Sequence, residues 1–165
     1  MCGCRGYKTT PDLRTVEYRR LLRRLADLDW HVHVYAEGER TAEVVDQLLA
    51  AEVKIVVDHY GDPSPSLGEK SPGFQAALRA IASGRGWVKV SAPYRSRGCD
   101  HAALAARLLA EGGPEHLLFG SDWPFVGHET EVTYRDMVES FEQAIPDASI
   151  RARIGRAAAR LYKFA

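Results

Sequence analysis

Asp122 lies where a short apolar run meets a turn. Residues 116–125 read HLLFGSDWPF, with Leu117, Leu118 and Phe119 suited to a buried strand and Pro124 unable to continue one. A carboxylate at the carboxyl end of a buried parallel strand sits where α/β proteins gather catalytic groups, because the loops beyond those ends form the mouth of the sheet. The plainer meaning is a turn aspartate that bonds its own backbone. The pattern recurs, however: Tyr35 follows HVHV, His59 follows VVD and Arg95 follows VSAPY. Parallel strands bring their carboxyl ends to one rim, so Tyr35, His59, Arg95 and Asp122 are expected to converge although far apart in the chain. A strand-end histidine alone is more often a hydrogen-bonded core residue than a ligand, but His59 beside Asp58 and facing Asp122 shifts the balance toward function.

The elements that must position these groups alternate strictly. A helix is predicted over 14–28, with Tyr18, Leu21, Leu22, Leu25 and Leu28 on one inward stripe and Arg19, Arg20, Arg23 and Arg24 on the solvated side. Strands follow at 30–36 and 53–58, separated by a helix over 41–51 that Thr41 would cap. The Gly-, Pro- and Ser-rich stretch 60–71 reads as a loop, and Ser71-Pro72 opens a helix to about 82. A strand at 87–91 and a helix from Asp100 to about 111 precede the strand that carries Asp122. Two more helices follow, one stopped at Pro146 and one running from Asp147 to about 162. Residues 3–8 could end a further strand, so at most five strands can be counted. Alternating strands and helices imply an α/β fold with a parallel sheet and right-handed crossovers.

With 165 residues, 45% of them hydrophobic, the chain is expected to form one globular domain. Its 22 basic and 22 acidic residues cancel, which argues against nucleic acid or an acidic membrane as partner. No apolar run is long enough to span a bilayer and no signal-peptide core opens the chain, so the expected location is the cytoplasm. Cys2, Cys4 and Cys99 are odd in number and lack the paired spacing of zinc ribbons, so neither a disulfide framework nor a thiolate metal site is expected.

VVDHYGDP, WVKVSAPYR, HLLFGSDWPF and the terminal AARLYKF resemble the later strands and end helix of the amidohydrolase-related family, the branch of the amidohydrolase superfamily that includes 2-pyrone-4,6-dicarboxylate lactonase and sugar lactonases. The resemblance implies the later part of a distorted (β/α)8 barrel. It also implies a hydrolase that opens a lactone or related cyclic ester of a carboxylated small molecule. Carried over, Asp122 would be the base that activates water and His59 the group that polarises the substrate. Arg95 would hold a substrate carboxylate, Tyr35 would line the pocket and hydrogen-bond the substrate, and Arg5, with Lys8, would make basic substrate contacts. Three departures stand out: Asp62 occupies a position that is often basic, Ala157 replaces a frequent asparagine, and the family's opening H-x-H strand has no counterpart.

His31 and His33 also form an H-x-H, and residues two apart on a strand share a face. The resemblance places them on a middle strand, which favours a structural role over a zinc site. No cofactor is required by this reading. In the alternative, a metal-dependent amidohydrolase or decarboxylase on the same scaffold, a divalent ion such as zinc would be held by His59 and Asp122. A third reading is an inactive fragment or small-molecule-binding remnant, whose open sheet edges would favour homo-oligomers.

Overall fold

The computed structural model describes residues 11–164. The strand end expected at 3–8, together with Cys2, Cys4, Arg5 and Lys8, lies outside the described residues. Four strands, β1 (His31–Val34), β2 (Lys54–Val57), β3 (Gly86–Ser91) and β4 (Leu117–Gly120), form one sheet in the order β1-β2-β3-β4. Every pairing is parallel. Six helices accompany it: α1 (Val16–Asp27), α2 (Glu39–Ala50), α3 (Pro72–Ala82), α4 (His101–Gly112), α5 (Tyr134–Ala144) and α6 (Ala148–Leu161). Among the described residues, no helix is long and apolar enough to cross a membrane.

Strand alternation divides the sheet into two faces. Val34, Ile55, Val57, Val88, Val90 and Leu117 point to one, where they pack against Leu48, Phe74, Ala77 and Leu108 of α2, α3 and α4. The other face is unusually polar for a sheet: His31 and His33 on β1, Lys89 and Ser91 on β3, and Asp58 just past β2 alternate with those core residues. Its apolar part is the cluster of Val56 and Leu118 with Leu161 near the end of α6. A two-sided sheet with one apolar and one partly charged face positions a site on the charged side.

Among the described residues, three of the six helices carry side-chain caps. Asp100 accepts from Ala103 N, Asp147 accepts from Ser149 N, and Thr133 and Asp136 form a capping box at α5. Two expectations are corrected. Thr41 lies inside α2, and its hydroxyl donates to Ala36 O, tying the helix to the end of β1. The buried α1 stripe is narrower than the one expected: Leu22 is buried and Leu25 packs on the core, whereas Tyr18, Leu21 and Leu28 are exposed. The second apolar row has nothing among the described residues to pack on.

The turn that carries His59 is held by backbone contact. A Cβ on Gly73, at the start of α3, would lie 1.9 Å from Gly61 O, and one on Gly61 would lie 2.4 Å from Gly73 O. Only glycine allows that approach, and Gly61 also has φ +79°. Gly73→Ala is therefore expected to cost about 3 kcal/mol of folding stability, at the upper end of ordinary overpacking. Chemical denaturation would read this as a lower midpoint, and an unchanged midpoint would show that the turn can shift freely.

Candidate active site

Each of the three later strands is broken by a left-handed residue just beyond its end: His59 (φ 52°) after β2, Ala92 (φ 49°) after β3 and Asp122 (φ 62°) after β4. Side chains with a Cβ reach this region at a cost of about 1–2 kcal/mol, so three at neighbouring strand ends mark a rim held against local preference. The break turns the backbone out of the sheet and brings together side chains that strand geometry alone would keep apart.

Asp122 is the centre of the rim. Its Oδ2 accepts from Tyr94 OH at 2.5 Å and from Arg95 Nε at 2.7 Å. Its Oδ1 faces His59 Nε2 across 3.5 Å and accepts no hydrogen bond among the described residues. Two donors on one oxygen orient the carboxylate and leave the other to act. Tyr94 and Arg95 come from one tight turn, Pro93–Ser96, that directly follows the strain at Ala92. Arg95 is 8% exposed, its Nη2 donates to Val126 O at 3.3 Å, and its Nη1 is buried without a partner. The guanidinium thus spends two of its nitrogens on the protein and keeps one aimed inward.

His59 is buried. The Tyr35 ring meets it edge-on at 4.9 Å between centroids, and Ser91 Oγ lies 2.9 Å from its Nδ1. Burial lowers the imidazole from its ordinary value, opposed by the charges of Asp122 and Asp58 and assisted by Arg95 and Lys89. The ring is therefore neutral near pH 7. Tyr94 is shifted the other way, first by burial and then by its bond to Asp122, so its phenol stays protonated and donates.

A second polar layer lies below the rim. Lys89 Nζ pairs with Asp58 Oδ1 at 2.8 Å, while His33 Nδ1 stands 3.7 Å from the same oxygen, beyond an ordinary hydrogen bond. Burial alone would raise Asp58, but His33 and Lys89 outweigh it and hold the carboxylate below its ordinary value. His31 and His33 face each other with Nε2 atoms 3.1 Å apart, and the Tyr162 ring of α6 lies edge-on to His31.

All four expected groups thus meet at one place: Tyr35, His59, Arg95 and Asp122. Arg95 does so differently from the expectation, since its Nε is bonded to Asp122. Asp62, which would have repelled an anionic substrate, instead accepts from Gly38 N at 3.1 Å and braces the loop after β1. His101 opens α4 and bonds Ser96, and His128 pairs with Glu131 while packing against Tyr94. Sequence reasoning missed Tyr94 and Ser91. Ser91 closes the WVKVS alternation on the polar face, and Tyr94 directly precedes Arg95.

As a metal centre the described residues fit poorly. Among them no three His, Cys, Asp or Glu side chains are arranged to hold a metal ion, and the Arg95 guanidinium already occupies the Asp122 oxygen that a second bond to a cation would need. Cys99 is a free thiol whose Sγ lies 3.6 Å from Pro63 O.

Burying a neutral imidazole links stability to pH. In the unfolded chain a histidine takes up a proton near pH 6.5, whereas buried His59 and half-buried His31 and His101 resist it. The unfolded state therefore binds more protons as pH falls from about 7 toward 5, and the folded state loses stability over that window. Denaturant midpoints are expected to be lower at pH 5.5 than at pH 7.5, and equal midpoints would contradict the burial of these rings.

Known proteins resemble the chain along most of its length. The sequence model of the Amidohydrolase family matches residues 3–164. A 2-pyrone-4,6-dicarboxylate hydrolase of Comamonas testosteroni is 33% identical over 114 residues, covering 61% of this chain and 37% of that protein. A 4-sulfomuconolactone hydrolase of Hydrogenophaga intermedia is 24% identical, with 71% of this chain and 40% of that protein covered. Among solved structures, one from Pseudomonas putida named for 2-pyrone-4,6-dicarboxylic acid hydrolase superposes with a TM-score of 0.83 at 33% identity, over 94% of this chain and 60% of that one. The chain thus spans about two fifths of the curated relatives and three fifths of that structure. The expected fold class, a parallel β/α sheet forming part of a (β/α)8 barrel, is borne out.

Proposed function

Since this chain belongs to the amidohydrolase family, we propose that it carries the catalytic rim of a hydrolase that opens a lactone of a carboxylated small molecule. The observation that supports this most is the pairing of a half-free carboxylate with a neutral imidazole: Asp122 Oδ1 faces His59 Nε2 at 3.5 Å while Tyr94 and Arg95 hold Oδ2. In this reading Asp122 Oδ1 takes a proton from water as the water attacks the ester carbonyl. His59 Nε2–H donates to the carbonyl oxygen as negative charge develops on it. The tetrahedral intermediate collapses with departure of the ring oxygen, which receives the proton that Asp122 took from water, and the product is an open-chain hydroxy acid, or an enol acid where the ring oxygen is vinylic. Arg95 Nη1, buried without a partner, is the donor left for a substrate carboxylate. Tyr35 walls the cavity beside His59. Arg5, outside the described residues, would add basic character to the substrate side.

The relatives' substrates set the assay. Opening of 2-pyrone-4,6-dicarboxylate and of 4-sulfomuconolactone is followed by loss of the ring chromophore. Turnover of either supports the reading, and a folded protein that opens neither contradicts the substrate class. The partner is thus a small molecule with a carboxylate or comparable acid group. No step is routed through a metal, because the described donors around Asp122 do not complete a coordination shell.

A further inference from the structure

The hydrogen bond beneath His59 decides what that imidazole can do. Ser91, the last residue of β3, is 4% exposed, and its Oγ lies 2.9 Å from His59 Nδ1. We infer that Ser91 is a positioning residue that donates to His59 Nδ1, so that the proton of the neutral ring sits on Nε2 and points at Asp122 and the substrate.

The direction follows from the partners on each side. Were Nδ1 the protonated nitrogen, Nε2 would present a lone pair to Asp122 Oδ1 at 3.5 Å, setting two acceptors against each other in a buried site. With Ser91 as donor, Nδ1 has its hydrogen bond and the Nε2–H faces the Asp122 carboxylate across 3.5 Å, an attractive charge contact in place of a repulsive one. The other groups that face the ring are the charges of Asp122, Asp58, Arg95 and Lys89 and the edge of Tyr35, and none of them supplies a second partner for Nδ1. His59 then acts as a hydrogen-bond donor, and Asp122 remains the single base. Ser91, His59 and Asp122 form a chain reminiscent of a nucleophile, its base and an orienting acid, but burial runs the wrong way for that role. Ser91 is the sealed end, and the Asp122 side chain is 20% exposed.

The proposal rests on the reading of His59 and Asp122 as the catalytic pair, but its test does not depend on turnover. In ¹⁵N-labelled protein at neutral pH, two-bond ¹H–¹⁵N correlation spectra show which imidazole nitrogen carries the proton and whether the other accepts a hydrogen bond. The His59 signals are identified by their loss in His59→Asn. The expected spectrum has Nε2 protonated and Nδ1 at the shift of a hydrogen-bonded acceptor. In Ser91→Ala, Nδ1 moves to the shift of an unbonded nitrogen, and kcat for lactone opening falls roughly tenfold with little change in KM, the scale of one hydrogen bond. A proton on Nδ1 in the unaltered protein, a Nδ1 shift that Ser91→Ala leaves in place, or an acyl group trapped on Ser91 would each overturn the proposal. If Ser91→Ala fails to fold, the spectrum of the unaltered protein still decides the direction of the bond. Absence of lactone opening would count against the proposed function, whereas the nitrogen shifts would still decide the role of Ser91 independently.

Discussion

Asp122→Asn is expected to abolish most lactone opening, lowering kcat by about 10³-fold, within the range that a positioned general base contributes. The substitution keeps the shape of the side chain and removes its charge. Tyr94 OH and Arg95 Nε now bond Oδ2. An amide oxygen in that place still accepts from both, and the NH2 group then takes the Oδ1 position opposite His59 Nε2. A donor there cannot take a proton from water and sets N–H against N–H across the pair, so the variant loses the base without losing the fold. The control is an unchanged denaturation curve beside the lost turnover. Full activity in a folded Asp122→Asn protein would remove Asp122 from the chemistry.

His59→Ala has the second-largest expected effect, a fall of about 10²–10³-fold in kcat with a smaller change in KM. Differential binding is the reason: a donor aimed at the carbonyl oxygen gains strength as that oxygen becomes an oxyanion, so its removal is felt in the transition state more than in substrate binding. The neutral state of the ring matters here. Burial favours the uncharged imidazole, whose Nε2–H donates to the carbonyl oxygen while Asp122 takes the proton of water. If His59→Ala raised KM alone and left kcat in place, the residue would be a binding contact and the assignment of polarising roles would have to change.

The parts of this arrangement that were legible in the sequence are those that depend on periodicity and on strand ends. HLLFG, VKIVV and WVKVS are short apolar runs bounded by turn residues, and β4, β2 and β3 fall on them. The rule that parallel strands gather their carboxyl ends explains why Tyr35, His59, Arg95 and Asp122 could be grouped without a structure. What could not be read was which side chain touches which. The sequence shows Tyr94 and Arg95 side by side, but only the left-handed break at Ala92 makes both reach the same oxygen of Asp122. Ser91 was invisible for a similar reason, since a serine at a strand end has many meanings until the imidazole above it is located.

The α1 stripe shows the opposite failure. Tyr18, Leu21, Leu22, Leu25 and Leu28 have helical spacing, and the spacing predicts a helix correctly. Periodicity says that a helix has an apolar side but not what covers it, and here Leu22 alone of that stripe is buried in α1. Other exposed apolar side chains, Trp30 beside β1 and Trp123 beside β4, lie next to the two edge strands. In the relatives, about two fifths or more of the chain has no counterpart among the matched residues.

The most direct test of the paired carboxylate and imidazole is a crystal structure of Asp122→Asn with an unreacted lactone dicarboxylate bound. The ester carbonyl oxygen is expected within about 3 Å of His59 Nε2, with its carbon beside residue 122 and a ring carboxylate on Arg95. A lactone seated elsewhere, for example in the groove of about 560 Å³ that Arg14, Arg19 and Arg23 line between α1 and α2, or one whose carbonyl points away from His59, would contradict that pairing.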